Sequence, residues 1–168
     1  MQPAPIQFPS ESVQRVIDAL QTLGHADRPV MLDAAARTAQ QAADALGVAL
    51  GQIAKSIVFR HADSDRAVLV VCAGDRRVDE HAVAAQVGKL ARADADFVRA
   101  ATGFAIGGVS PVGHAQQPIA LLDESLWRFD RVWAAAGHPH AVFALQPDDL
   151  VRWLEVRPSA VSAAPQAR

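Results

Sequence analysis

Gly51-Gln-Ile-Ala-Lys-Ser-Ile-Val-Phe59 and Ala67-Val-Leu-Val-Val-Cys72 are two apolar, β-branched runs separated by the polar stretch His61-Ala-Asp-Ser-Asp-Arg66. That pattern predicts an antiparallel hairpin with a short exposed loop. On its N-terminal side, Val13, Val16, Ile17 and Leu20 recur at helical spacing, so a helix is expected over 11–23, with Ser10 as its N-cap and Gly24 as its stop. Pro29-Val-Met-Leu32 reads as a strand. A second helix follows over 38–46, capped by Thr38 and ended by Gly47. On the C-terminal side, helices are expected over 79–87 and 94–102, each closed by a glycine. The segment 103–114 holds four glycines and a proline, too many for the interior of a regular element, and reads as a structured loop. Strands over 118–122, 131–135 and 141–145 come next. A final helix begins at Pro147, with Asp148 and Asp149 at its positive end.

The strands are not separated by regular crossover helices, which argues against a doubly wound parallel sheet. The expected class is α/β, with a mixed, largely antiparallel sheet and helices around it. Residues 1–9 carry three prolines and read as a flexible lead-in, and 158–168, rich in Ala, Ser and Pro, as a disordered tail. A single domain over 10–157 remains.

A chain of 168 residues is of the size of one domain. Its apolar fraction of 51% is rich in Ala but leaves enough large residues for one core. A net charge of -2 excludes a globally basic nucleic-acid coat and a polybasic membrane anchor, so neither DNA nor a membrane is an expected partner. The single cysteine, Cys72, excludes an intramolecular disulfide and a cysteine-based zinc site, and its Val-rich setting makes it a core residue. With no basic start followed by an apolar run, a cytoplasmic protein is expected.

Among the 16 basic residues only Lys55 and Lys89 are lysines. Alternation puts Lys55 on one face with Ile53, Ile57 and Phe59. An ammonium there is costly to desolvate unless it snorkels along an edge or meets an anion. The glycine loop 103–114 is either a plain turn or a place where backbone N–H groups approach an anionic or carbonyl oxygen. It has neither the dinucleotide nor the phosphate-loop spacing. His138 and His140 would share a strand face, but they lack a third ligand at a recognisable spacing, since His114 is remote in sequence. Asp148 and Asp149 are explained by the helix dipole, and Trp127, Trp133 and Trp153 by core packing.

Four ordered blocks, Thr38-Ala-Gln-Gln-Ala-Ala-Asp-Ala-Leu-Gly47, Gln52-Ile-Ala-Lys-Ser-Ile-Val-Phe59, Gly103-Phe-Ala-Ile-Gly-Gly-Val-Ser-Pro-Val-Gly113 and Phe129-Asp-Arg-Val-Trp-Ala-Ala-Ala-Gly137, resemble the YbaK/ProX-type aminoacyl-tRNA deacylases. That family is related to the editing domain inserted in bacterial prolyl-tRNA synthetases. The resemblance spans residues 12–155 and implies a mixed sheet curled into a barrel-like core. It implies hydrolysis, in trans, of the ester joining a wrong, small amino acid to tRNA-Pro or a related tRNA. In that reaction a water or a terminal ribose hydroxyl is oriented by the protein rather than deprotonated by it. Lys55 matches the family's functional lysine and would hold the terminal phosphate. Gly107 to Pro111 matches its Gly-x-x-x-Pro loop, which would place Gly107 and Gly108 near the ester, with Ser110 and Pro111 beside them. The remaining candidates for the pocket are Ile53, Ser56, Val58, Ile106, Gly137 and His138.

Mischarged tRNA, gripped at its acceptor end through a local patch of Arg60, Arg76, Arg77, Arg92 and Arg99, is then the expected partner. Prolyl-tRNA synthetase is a candidate second partner, no cofactor or metal is called for, and a monomer or weak dimer is expected. Two rivals are a non-catalytic module that binds tRNA or a nucleotide in the same cleft, and a metal hydrolase built on His114, His138 and His140.

Overall fold

The computed structural model describes residues 11–33 and 36–164, so the expected lead-in and the Ser10 cap lie outside the described residues. The first part of the chain runs α1 (Glu11–Thr22), β1 (Val30–Met31), α2 (Ala39–Leu46), β2 (Ile53–His61), β3 (Ala67–Ala73), β4 (Arg77–Val78) and α3 (Glu80–Val87). It continues through β5 (Leu90–Ala91), α4 (Ala95–Thr102), β6 (Ile119–Asp123), β7 (Val132–His138), β8 (Ala141–Leu145), α5 (Pro147–Leu154), β9 (Pro158–Ser159) and β10 (Ser162–Ala163). Side-chain caps set the starts of the middle helices. Thr38, Asp79 and Asp94 accept from the backbone N–H groups of Gln41, Ala82 and Phe97, satisfying donors that the first helical turn leaves free.

The hairpin β2–β3 forms in the expected sense, with Lys55 opposite Cys72 and Phe59 opposite Val68. Around it an eight-stranded mixed sheet has the order β1-β8-β7-β2-β3-β6-β9, with β5 added to β2. The pairs β2–β7, β3–β6 and β6–β9 are parallel, and β1–β8, β7–β8, β2–β3 and β2–β5 are antiparallel. The sheet is open, ending at β1 and β9, where the resemblance implied a barrel-like curl. Strands of two residues at both ends cannot offer the ladder that closure needs.

Every residue of β3 is buried, because both its faces are covered. Leu69, Val71 and Ala73 join Val13, Val16 and Leu20 of α1, Phe143 and Leu145 of β8 and Leu150 of α5 in the larger cluster. Val68 and Val70 join Val83, Leu121 and Val161 in a smaller one on the opposite face. Each such Val, Leu or Phe side chain contributes about 1.5–3 kcal/mol when fully buried.

Val161 corrects the expected tail. Instead of leaving the fold at Pro158, the chain lays β9 beside β6 and pairs β10 with β4. Asp123 holds it there. Its carboxylate accepts the Val161 N–H at 2.9 Å, the Ser162 hydroxyl at 2.7 Å and the Ser125 N–H at 3.1 Å. Burial alone would raise this carboxyl, but those hydrogen bonds outweigh it and hold Asp123 below the usual carboxylate range.

Candidate active site

The site begins as a gap in the sheet. One edge of β2 is taken by β3 from Ala54 to Arg60. The other meets β7 only at Ile53 and Ala54, and β5 only at Arg60 and His61. Beyond Ala134 β7 no longer pairs with β2, and its pairing with β8 shifts register between Ala135 and His138. Gly137 fits this shift because its φ is 92° and a Cβ there would lie 2.7 Å from the Ser12 carbonyl oxygen of α1.

A cavity of about 460 Å³ opens onto the gap, inside the usual small-ligand range of about 300–1,000 Å³. It is lined by the consecutive β2 residues Ile53 to Val58, by Ile106, Gly107 and Val109 of the glycine loop, and by Trp133, Ala134 and Ala135 of β7. Arg37, Thr38 and Ala39 at the start of α2, together with Val98 and Pro139, complete its walls. Six sequence-predicted residues thus meet in one cavity: Lys55, Gly107, Ile53, Ser56, Val58 and Ile106.

The other five do not line it. Gly108 is buried, donates its N–H to the Ala105 carbonyl at 3.0 Å, and packs so closely on the next hairpin that a Cβ would lie 3.0 Å from the His138 backbone. Its N–H is thus engaged within the turn, and Gly108 itself does not line the cavity. Ser110 is fully buried and structural. Its hydroxyl accepts the Val112 N–H and its carbonyl accepts from His114 Nε2 at 2.6 Å. Pro111 lines a separate cleft with Thr22, His114 and Trp153. Gly137 and His138 form the hairpin that buttresses Gly108, and His138 Nδ1 accepts the His140 N–H at 3.1 Å.

Lys55 donates to the Arg76 carbonyl at 2.8 Å and pairs with no carboxylate among the described residues. Its neighbour across the ladder, Cys72, has its thiol pushed up to about 11 by burial, with the Lys55 charge opposing, so it stays protonated and inert. Arg37 is exposed on the cavity wall and likewise has no carboxylate partner among the described residues. The site therefore offers two cations and an apolar wall, and the Ser56 hydroxyl beside it is buried without a protein partner. Gly107 N–H also meets no protein acceptor among the described residues.

The metal reading gains nothing from the geometry. The rings of His138 and His140 lie 5.3 Å apart, but His114 packs against Phe104, and no group of three potential ligands gathers among the described residues. Burial also lowers the His114 pKa. Of the patch arginines, Arg77, Arg92 and Arg99 are exposed, Arg60 pairs with Asp65, and Arg76 borders another polar cleft with Asp123 and Arg128. Sequence reasoning missed Arg37 and Trp133, which follow only from how α2 and β7 pack beside β2. Trp133, expected in core packing, is instead half-buried on the cavity wall, with the Arg131 guanidinium 5.2 Å from its ring.

Residues 33–153 match the family described as the aminoacyl-tRNA editing domain. YwhH, an uncharacterized protein of Bacillus subtilis (strain 168), is 40% identical over 114 residues, which cover 67% of this chain and 72% of that protein. A solved structure provisionally described as a trans-editing enzyme for prolyl tRNA synthetase is 40% identical, with a TM-score of 0.87 over 94% of this chain and 100% of that one. The hypothetical protein APE2540 is 26% identical, with a TM-score of 0.78 over 91% of this chain.

Proposed function

Since the chain belongs to the aminoacyl-tRNA editing domain family, we propose that it is a trans-acting deacylase that hydrolyses the ester of a tRNA mischarged with a small amino acid, tRNA-Pro or a related tRNA being the carrier. The observation that carries this reading is the meeting of Lys55 and Gly107, far apart in sequence, at one cavity open along a strand edge. The similarity to a structure described in connection with prolyl tRNA synthetase supports the choice of tRNA.

In the mechanism, Lys55 exchanges the Arg76 carbonyl for a phosphate oxygen at the RNA 3′ end. Ammonium suits this role as a compact charge with three donors. The Gly107 N–H stabilises the tetrahedral oxyanion that forms as water adds to the ester carbonyl. Among the described residues, no carboxylate or imidazole lines the cavity as a general base. The water is oriented by the substrate's own free ribose hydroxyl, which accepts a proton from the attacking water and passes its own to the leaving ribose oxygen as the acyl C–O bond breaks. Small aminoacyl groups are selected because a second, restricted pocket adds the discrimination that a synthetase cannot draw from one methylene, worth about 1–3 kcal/mol.

Deacylation of a panel of tRNAs carrying Ala, Ser, Cys, Thr, Pro and 2-aminobutyrate tests the proposal. Wild type should release one or two small aminoacyl groups selectively, and Lys55→Ala should slow that release by about 100-fold or more, as expected for loss of a positioned charge. Decay of all six at the rate seen without protein would favour the non-catalytic binding module.

A further inference from the structure

The open stretch of β2 has a polarity that can be read residue by residue. His61 donates its N–H to Arg66 across the hairpin at 2.8 Å, whereas Ala62 donates to Lys89 beside β5 at 2.9 Å. In a strand, the backbone N–H and C=O of one residue point to the same side and alternate along the chain. Odd-numbered residues of β2 therefore bond to β3, and even-numbered ones face the opposite edge. Ala54 meets β7 there and Arg60 meets β5. Between them, neither strand reaches Ser56 or Val58. Their N–H and C=O groups face the cavity that both residues line. Strand-edge N–H and C=O groups that no neighbouring strand takes are open to a ligand with complementary donors and acceptors.

We propose that this edge reads the terminal base of the RNA, with the Val58 N–H donating to adenine N1 and the Ser56 C=O accepting from adenine N6–H. This inference rests on the editing reading for its ligand. The C=O of one residue and the N–H of the next but one are neighbours on a strand edge. Adenine presents the complementary pair, a donor beside an acceptor, on its Watson–Crick edge. Guanine and uracil present the inverse pair and are refused. Cytosine has the same order on a smaller ring and binds more weakly. Trp133 contributes aromatic surface to the same cavity, where base stacking adds affinity without selectivity. The terminal adenosine carries the ester, so anchoring its base at Ser56 and Val58 places the ester within the cavity that Gly107 also lines.

The test is a titration of the 15N-labelled protein with AMP, CMP, GMP and UMP. AMP should shift the Val58 amide resonance most, CMP less, and GMP and UMP should leave it in place. The 1-deaza analogue of AMP should bind about ten-fold more weakly, the worth of one hydrogen bond. An equal response to all four bases, or a response confined to other residues, overturns the proposal. Val58→Pro removes an N–H that no strand uses, together with side-chain packing that Val58→Ala also gives up and so controls for. It should abolish the preference for AMP while Val58→Ala keeps it. If Val58→Pro fails to fold, the nucleotide panel on wild type still decides. Release of an amino acid from tRNA with no AMP response at Val58 sinks the base-reading edge and leaves editing standing. AMP selectivity at Val58 with no release from any tRNA does the reverse.

Discussion

At the scale of the residue, Gly137 ties three parts of the molecule together. A methyl group there would meet the Ser12 carbonyl of α1, on a backbone that L-residues rarely adopt. Gly137→Ala should therefore lower stability by about 1–3 kcal/mol. A denaturant midpoint unchanged from wild type would show that α1 can retreat freely. Lys55 was legible from its apolar neighbours and from the family blocks. Its resting partner was not, because the Arg76 carbonyl comes beneath the ammonium only through the register of the hairpin and the turn after β3. Ser110 and Pro111 mark the opposite limit. Spacing identifies a loop motif but not which of its residues turn inward, and here Ser110 spends its polar atoms on Val112 and His114.

At the scale of the element, helices and long strands were legible because their caps and periodicity are local. Thr38, Asp79 and Asp94 stand where capping requires them. The two-residue strands β4, β9 and β10 were not, since nothing in so short a run carries a period, and their pairing depends on Asp123 across the molecule. Asp123→Ala should free β9 and β10, read as faster amide hydrogen exchange at Val161 and Ser162, with about 2–3 kcal/mol lost. The pH dependence has a definite sign. A carboxyl held below its unfolded value, about 4, stabilises fully above that value, and this contribution fades as pH falls through the lower folded value. In the Ala variant that part of the acid-induced loss should vanish; an identical acid profile would show that Asp123 does not anchor the segment.

At the scale of the whole molecule, two clusters lie back to back on β3, and the C-terminal segment closes the smaller one with Val161. A chain ended after residue 157 should lose about 2–4 kcal/mol, combining the Val161 burial with the Asp123 contacts, while keeping the larger cluster and the cavity. Comparing thermal midpoints checks this; an unchanged midpoint would restore the tail expected from composition. The openness of the sheet was beyond sequence reasoning for a related reason. Whether a mixed sheet closes depends on the length of its end strands, and β1 and β9 have two residues each.

The parity of β2 also bears on how such a protein could diversify over evolutionary time. Ala54 belongs to the larger cluster and Val58 packs against it, so a change at either position to suit a new substrate also disturbs packing. Ile106 is under no such constraint. It stands 60% exposed at the mouth of the cavity, on a turn that neither cluster includes. Mutations that retune selectivity at little cost to folding should accumulate first at Ile106, leaving the strand and the neighbouring glycines as the inherited and slowly changing part of the site.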